Sequence, residues 1–243
     1  MKTIQWLPAW PHLTLTANEV HIWRRPLLAE AVREQENFAL LSEDERQRAQ
    51  RFYFAKHRRR FTMARAGLRK ILSHYLPAPP ENVHFSYGQH GKPAVDCSQS
   101  DLDVRFNVSH SHEMALYAIT VAVEIGIDIE KISTRKFSYQ ELAQRYFAED
   151  ECTQLLSLAK SQQESAFFHI WTQKEAFIKA LGQGLAYPLD KFTVNAVQPA
   201  SLLHAEDNNV EQWFMQAVAV AADYQATFAT AQPVKKICYW HMA

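Results

Sequence analysis

Three runs in the middle of the chain, 104–109, 114–121 and 124–130, have the length and residue make-up of strands. The last is the most regular. Ile125, Ile127 and Ile129 fall on one face of it, and Gly126, Asp128 and Glu130 on the other. From 167 to 181 the apolar residues recur with a helical period (Phe167, Ile170, Trp171, Phe177 or Ile178, Leu181), and Gly182 stands where helices commonly stop. Upstream, 13–23 predicts a first strand. A helical region opens at Ser42, with Glu45 placed as its capping-box partner. A second helix is expected over 57–75, stopped by Pro77-Ala-Pro-Pro80. A short strand at 83–87, a turn at 88–93 and a polar loop at 96–103 follow. Two helices and a loop are expected over 139–181, then strand-like runs at 192–197, 213–221 and 226–231.

The pattern puts charge in two places that call for chemistry. Asp128 and Glu130 are one strand step apart and repel each other unless a cation or a proton compensates. Their alternation fits the wet face of an edge strand, or an oxygen-ligand site for Mg²⁺ or Mn²⁺ beside open space left by Gly126. On the helix, Glu175 and Lys179 are four apart and share a face. Such a pair is ordinarily a surface salt bridge of about 0.3–0.5 kcal/mol. Here it is set among large apolar residues and followed by Gly182-Gln-Gly184. The aromatic residues Phe167, Phe168, Trp171 and Phe177 are expected in the core.

Asn107-Val-Ser109-His110-Ser, Gly126-Ile-Asp128-Ile-Glu130 and Trp171-x-x-Lys174-Glu175-Ala-x-x-Lys179-x-x-Gly182-x-Gly184-Leu resemble three signature blocks of the 4′-phosphopantetheinyl transferases of the surfactin-synthetase-activating (Sfp) type. Gly91-Lys92-Pro93 and the basic stretch 46–60 add to the resemblance, which runs from about 40 to 195 in the family's order. It implies an α/β (α+β) fold of two similar lobes related by a pseudo-two-fold, with the active site in the cleft between them. The lobes are expected at 1–105 and 106–243. The implied reaction moves the 4′-phosphopantetheine arm of coenzyme A to a serine of an apo acyl or peptidyl carrier protein and releases 3′,5′-ADP.

The resemblance implies that Asp128, Glu130 and Glu175 hold Mg²⁺ or Mn²⁺ against the pyrophosphate, with Glu175 also the base, directly or through a metal-bound water. Lys179 would sit on the same phosphates, and Lys174 is read as facing either phosphate or solvent. Arg48, Lys92, Ser109 and His110 would bind the nucleotide end of coenzyme A, with Gly91 and Pro93 shaping the loop. Glu45 departs from the pattern, standing where some members carry a basic residue toward the 3′-phosphate; Arg58, Arg59 or Arg60 could substitute.

Composition narrows the partners. The 243 residues are 47% hydrophobic, enough for a substantial core, and the formal net charge is zero, so no overall field attracts nucleic acid or a membrane. Cys97, Cys152 and Cys238 lack metal-ligand spacing and read as free thiols in a reducing compartment. With no apolar leader or membrane-length run, a cytoplasmic location is expected, and a site with both of its walls in one polypeptide favours a monomer. A carrier would dock on the loop at 131–137, with Arg135 and Lys136, and on Arg145-Tyr146-Phe147, while an ordinary solvated loop with a buried aromatic is the competing reading. The physiological carrier, whether of fatty-acid, polyketide or nonribosomal-peptide synthesis, is left open. Two alternatives stand beside the transferase: another Mg²⁺-dependent phosphotransferase acting on a nucleotide, and a silent carrier-binding module. Ala49-Gln-Arg-Phe-Tyr-Phe54 is echoed by Ala143-Gln-Arg-Tyr-Phe147, which is compatible with an internal duplication.

Overall fold

The computed structural model describes residues 4–8, 13–88, 90–132, 138–206 and 209–242. Its strands are β1 (Leu7–Pro8), β2 (Glu19–Pro26), β3 (Phe85–Tyr87), β4 (Pro93–Val95), β5 (Val104–Ser111), β6 (Met114–Val121), β7 (Ile125–Lys131), β8 (Phe192–Val194), β9 (Leu202–Ala205), β10 (Phe214–Ala217), β11 (Tyr224–Thr230) and β12 (Lys236–His241). The α-helices are α1 (Ala31–Ala39), α2 (Glu43–Gln50), α3 (Ala55–Leu72), α4 (Tyr139–Tyr146), α5 (Glu149–Ser157) and α6 (Lys160–Leu181).

One topology occurs twice. A strand, three helices, a short hairpin and a longer hairpin follow each other as β2-α1-α2-α3-β3-β4-β5-β6, and again as β7-α4-α5-α6-β8-β9-β10-β11. The two sheets keep the same neighbour order, β2-β6-β5 and β7-β11-β10, antiparallel throughout. The first sheet is extended by β12, parallel to β2, and by β1, parallel to β12. The fold is therefore mixed α/β with two similarly built lobes. The division expected at residue 105 falls inside β5, and both β5 and β6 hydrogen-bond into the first sheet, as does β12 from the last residues of the chain.

Strand alternation stacks the layers. Val20 and Ile22 of β2 and Leu116 and Ala118 of β6 face Ile125, Ile127 and Ile129 of β7 and Phe228 of β11, forming a dry core between the sheets. Fully burying each such isoleucine is worth about 1.5–3 kcal/mol. The opposite face of the first sheet, with Trp23 and Tyr117, packs on Met63, Leu68 and Leu72 of α3. The second sheet's outer face is covered by α6, whose Phe167, Phe177 and Ile178 are core.

Each lobe is braced by the same device. Glu45 near the start of α2 accepts from the Ser42 backbone N–H (3.0 Å), and Glu151 near the start of α5 accepts from that of Ala148 (2.9 Å). Both carboxylates are buried and turned to the long helix of their lobe, Glu45 to Arg65 and Arg69 of α3, Glu151 to Lys174 of α6. Ser42-Glu-Asp-Glu45 and Ala148-Glu-Asp-Glu151 thus mark the register of the repeat. The echo at 49–54 and 143–147 does not, because it starts within α2 in one lobe and within α4, the counterpart of α1, in the other.

Candidate active site

The seam between the lobes runs along β5 and β7. Three polar side chains on one face of β5 cross to β7. Asn107 Oδ1 accepts from the Ile127 N–H (2.9 Å), Ser109 Oγ donates to Asp128 Oδ1 (2.8 Å), and Ser111 Oγ donates to Glu130 Oε2 (2.8 Å) while accepting from the Lys131 N–H (3.1 Å). Asn107 and Ser111 were assigned no contact by sequence, although their period of two with Ser109 is the signal of a shared strand face. Ser109 lies beneath the carboxylates rather than open to a ligand, being 7% exposed.

The carboxylates themselves are set by the α6 contact. A Cβ on Gly126 would lie 2.0 Å from the Ala176 carbonyl oxygen and 2.5 Å from the Ala180 nitrogen. The space expected beside Asp128 is therefore filled: glycine is needed so that the α6 backbone can press on β7. That contact brings Lys179 Nζ to 2.6 Å from Asp128 Oδ1, 3.1 Å from Ser109 Oγ and 4.0 Å from Glu175 Oε2. The structure thus gathers Asp128, Glu130, Glu175, Lys179 and Ser109 at one place. Gly182, at φ 72°, ends α6 in the left-handed conformation, as its position in the sequence predicts.

Three carboxylates meet one ammonium here, and the imbalance acts on Glu130, Glu175 and Lys179. Burial and the neighbouring Asp128 push Glu130 up to about 7, against the opposing pull of Ser111 and Lys179. Burial also raises Glu175, with Lys179 opposing and Asp128 adding. Lys179 loses from desolvation but is held above its ordinary value by Asp128, Glu175 and Glu130. Asp128 Oδ2 is buried without a hydrogen-bond partner. Excess negative charge with a spare carboxylate oxygen suits a hard divalent cation, so this donor set fits Mg²⁺ or Mn²⁺. The carboxylates are nonetheless not drawn to ligand spacing around a common point: among the described residues, the group of three that is so gathered is Glu19, His21 and Cys238.

Lys174, expected to face either phosphate or solvent, faces neither. It is fully buried, its Nζ 2.7 Å from Glu151 Oε2 and donating to the Leu189 and Phe192 carbonyls at 2.7 and 2.6 Å. It points into the core of the second lobe, one step round the helix from Glu175. Glu45 likewise faces inward, onto Arg65 and Arg69, and braces α2 against α3.

The other expected nucleotide contacts are dispersed along the seam. Lys92 Nζ donates to Glu124 Oε2 (2.7 Å) and to the Ala180 and Ile125 carbonyls (3.1 and 3.2 Å), tying the β3–β4 hairpin to the second lobe. Gly91, at φ 76°, makes that hairpin's turn, and Pro93 opens β4. Lys92, Pro93, Phe106, Glu124 and Gly182 line a cavity of 330 Å³. His110 is exposed at the end of β5; crowding by protein on its inner side, then Lys179 and Arg60, hold its imidazole below the ordinary value. Arg60 and Arg59 of α3 reach Glu113 at 2.6 and 3.9 Å, and Arg60 is among the charges that act on His110. Arg48 is exposed, with its guanidinium 5.3 Å over the Phe61 ring. Of the expected carrier surface, Phe147 is core and stacks on Phe167, Arg145 lies over Tyr146, and Arg135 and Lys136 fall outside the described residues. Two larger grooves, of 650 and 710 Å³ along β10 and the residues after it, hold none of this chemistry.

A 4′-phosphopantetheinyl transferase N-terminal family model matches residues 29–122, and a 4′-phosphopantetheinyl transferase superfamily model matches 124–229. The chain is 44% identical to the 4′-phosphopantetheinyl transferase HetI of Nostoc, over 74% of this chain and 76% of that one. It is 32% identical to the 4′-phosphopantetheinyl transferase Sfp of Bacillus subtilis, over 86% and 89%. A solved holo-[acyl-carrier-protein] synthase from Thermotoga maritima shares 18% identity with a TM-score of 0.36, covering 45% of this chain and 64% of that one. The chain belongs to the 4′-phosphopantetheinyl transferases, enzymes that transfer the phosphopantetheine group to carrier proteins. That membership decides against a general nucleotide phosphotransferase.

Proposed function

We propose that the chain catalyses attack of a carrier-protein serine hydroxyl on the pyrophosphate of coenzyme A, releasing 3′,5′-ADP, at the seam between β7 and α6. The observation that carries this reading is the cluster of Asp128, Glu130 and Glu175 about Lys179, with Asp128 Oδ2 buried and unpartnered. Asp128, Glu130 and Glu175 would hold Mg²⁺, which when bound neutralises the charge of the pyrophosphate and of the leaving group. Lys179, positioned by Ser109 and Asp128, offers its ammonium to a phosphate oxygen. Glu175, made more basic by burial, accepts the serine proton. The exposed His110, with the charge of Arg60 acting on it, suits the 3′-phosphate end of the nucleotide. We place the enzyme in the cytoplasm as a monomer: no described helix is long and apolar enough to cross a membrane, and both walls of the site come from one chain. Incubation with coenzyme A, Mg²⁺ and a panel of apo carriers, read by intact mass, tests the reading. The expected result is addition of one phosphopantetheine group to at least one carrier, dependent on its serine; no addition to any carrier would overturn it.

A further inference from the structure

On the first sheet, away from the carboxylate seam, three unlike ligands converge. Glu19 and His21 lie two apart on β2 and so share a face, and Cys238 of β12 is directly opposite His21 in the parallel register. His21 Nε2 is 3.2 Å from Glu19 Oε1, and Cys238 Sγ is 3.3 Å from the same oxygen. One ligand atom from each of the three lies within 4.8 Å of the other two. Metal–ligand bonds of ~2.0–2.3 Å in a tetrahedral site set ligand atoms about 3.3–3.7 Å apart, close to the two contacts seen.

Each ligand is also oriented. The Thr16 hydroxyl and N–H donate to Glu19 Oε2 (2.9 and 3.3 Å), which leaves Oε1 turned toward the cluster. His21 Nδ1 is 2.7 Å from the Tyr75 hydroxyl, which in turn accepts from Trp23 Nε1 (2.9 Å). A hydroxyl with two acceptor lone pairs can take Nδ1–H as well, which frees Nε2 as a ligand; fixing the far nitrogen in this way is how metal-binding histidines are held. His21 is 1% exposed, and its buried Nε2 has the Glu19 carboxylate beside it at 3.2 Å, outside regular hydrogen-bond geometry, so the nitrogen and the carboxylate oxygen face the same gap. Lys236 Nζ, 2.6 Å from Glu19 Oε1, supplies a positive charge at the cluster. Its side chain is 67% exposed and can swing into water.

The geometry points to a site for a thiophilic divalent cation of the Zn²⁺ class at Glu19, His21 and Cys238, with the fourth position open to water where Lys236 now sits. A thiolate, an imidazole and a carboxylate select such an ion over Mg²⁺. Binding releases the Cys238 thiol proton to solvent, while the imidazole, its proton on Nδ1 toward Tyr75, offers the Nε2 lone pair. Because Cys238 belongs to β12 and the other ligands to β2, the ion would clamp the last strand to the first lobe without touching the transfer site.

The test is a Co²⁺ titration of the reduced, chelator-stripped full chain. The expected result is a thiolate-to-cobalt charge-transfer band with tetrahedral visible bands, saturating at one ion per chain and abolished by Zn²⁺. Cys238→Ser should remove the charge-transfer band, with an unchanged circular dichroism spectrum showing that the fold survives. Tyr75→Phe should weaken binding about 10- to 100-fold. Lys236→Ala, on an exposed side chain, should tighten it. A folded wild-type chain with no thiolate band, a band that persists in Cys238→Ser, or an affinity unchanged in Lys236→Ala would each overturn the assignment.

Discussion

Lys179 Nζ lies 2.6 Å from Asp128 Oδ1 on the neighbouring strand and 4.0 Å from Glu175 one turn back on its own helix, so one ammonium links the two elements that carry the carboxylates. Its hold on Asp128 leaves the second oxygen of that group buried and bare. The arrangement is short of positive charge, which is the condition in which a divalent ion gains most.

Asp128→Asn and Glu175→Gln should each lower transfer about a hundredfold or more while the chain still folds, since metal neutralisation contributes several kcal/mol at the transition state. EDTA should reproduce the loss in the wild-type enzyme, and added Mg²⁺ should restore it. Full turnover in EDTA, measured by carrier mass shift, would remove the metal from the reading.

Lys174 makes the opposite prediction from its neighbour. Lys174→Met leaves Glu151 buried and unpaired, which should cost about 3–5 kcal/mol, whereas Lys174→Met with Glu151→Leu should recover most of it. Chemical denaturation measures both. In the double variant, the KM for coenzyme A should match the wild type; a large rise would return Lys174 to the phosphates.

The difference between Lys174 and Lys179 shows where sequence reading stops. Helical period places Glu175 and Lys179 on one face, and strand period places Asp128 and Glu130 on one face, and the structure keeps both. The direction of Lys174 depends on Glu151, which lies on another helix and becomes its partner only when α5 packs on α6. Gly126 reads as open space for the same reason, because the atoms that fill it belong to α6. Residues 236–241 lack a clear alternation, and their pairing with β2 spans almost the whole chain. The repeat is hidden too: what it preserves is a buried capping glutamate and the order of strands, while the visible echo at 49–54 and 143–147 falls on different helices.

Gly126→Ala should be more damaging than its single added methyl suggests. The new carbon meets backbone, which cannot rotate away, so α6 must shift off β7 and carry Lys179 and Glu175 with it. Overpacking of this kind costs about 1–3 kcal/mol. A lowered melting temperature together with a reduced kcat is expected; wild-type values for both would mean that the helix has room to move.

Glu45 gives a prediction in pH. Burial raises its carboxyl, but Arg69 and Arg65 outweigh that and hold it below the ordinary value. A folded-state value below the unfolded one means stability that is present above the unfolded value and lost as pH falls through the folded one. Glu45→Gln should therefore be less stable at pH 7 by about 3–5 kcal/mol, because Arg69 is left buried without its carboxylate. Its melting temperature should also fall less steeply than the wild type's as pH drops below about 5. Parallel curves for the two proteins would show that Glu45 is not the group responsible.

The last prediction separates two kinds of basic residue along the seam. Lys92 is committed to Glu124 and to the carbonyls of Ile125 and Ala180, so its ammonium joins the lobes. His110, in contrast, presents an exposed ring beside Lys179 and Arg60. Lys92→Met should lower the melting temperature and weaken coenzyme A and dephospho-coenzyme A by similar factors, because it loosens the walls around either ligand. His110→Ala should leave the melting temperature near its starting point and weaken coenzyme A about ten- to a hundredfold more than dephospho-coenzyme A, the range expected for a charge-assisted hydrogen bond of about 1.5–3 kcal/mol. Calorimetric titration of both variants with both ligands distinguishes them. If Lys92→Met discriminates against the 3′-phosphate as strongly as His110→Ala, the lysine leaves the seam when the nucleotide arrives, and its contacts to Glu124 and α6 are those of the free enzyme alone.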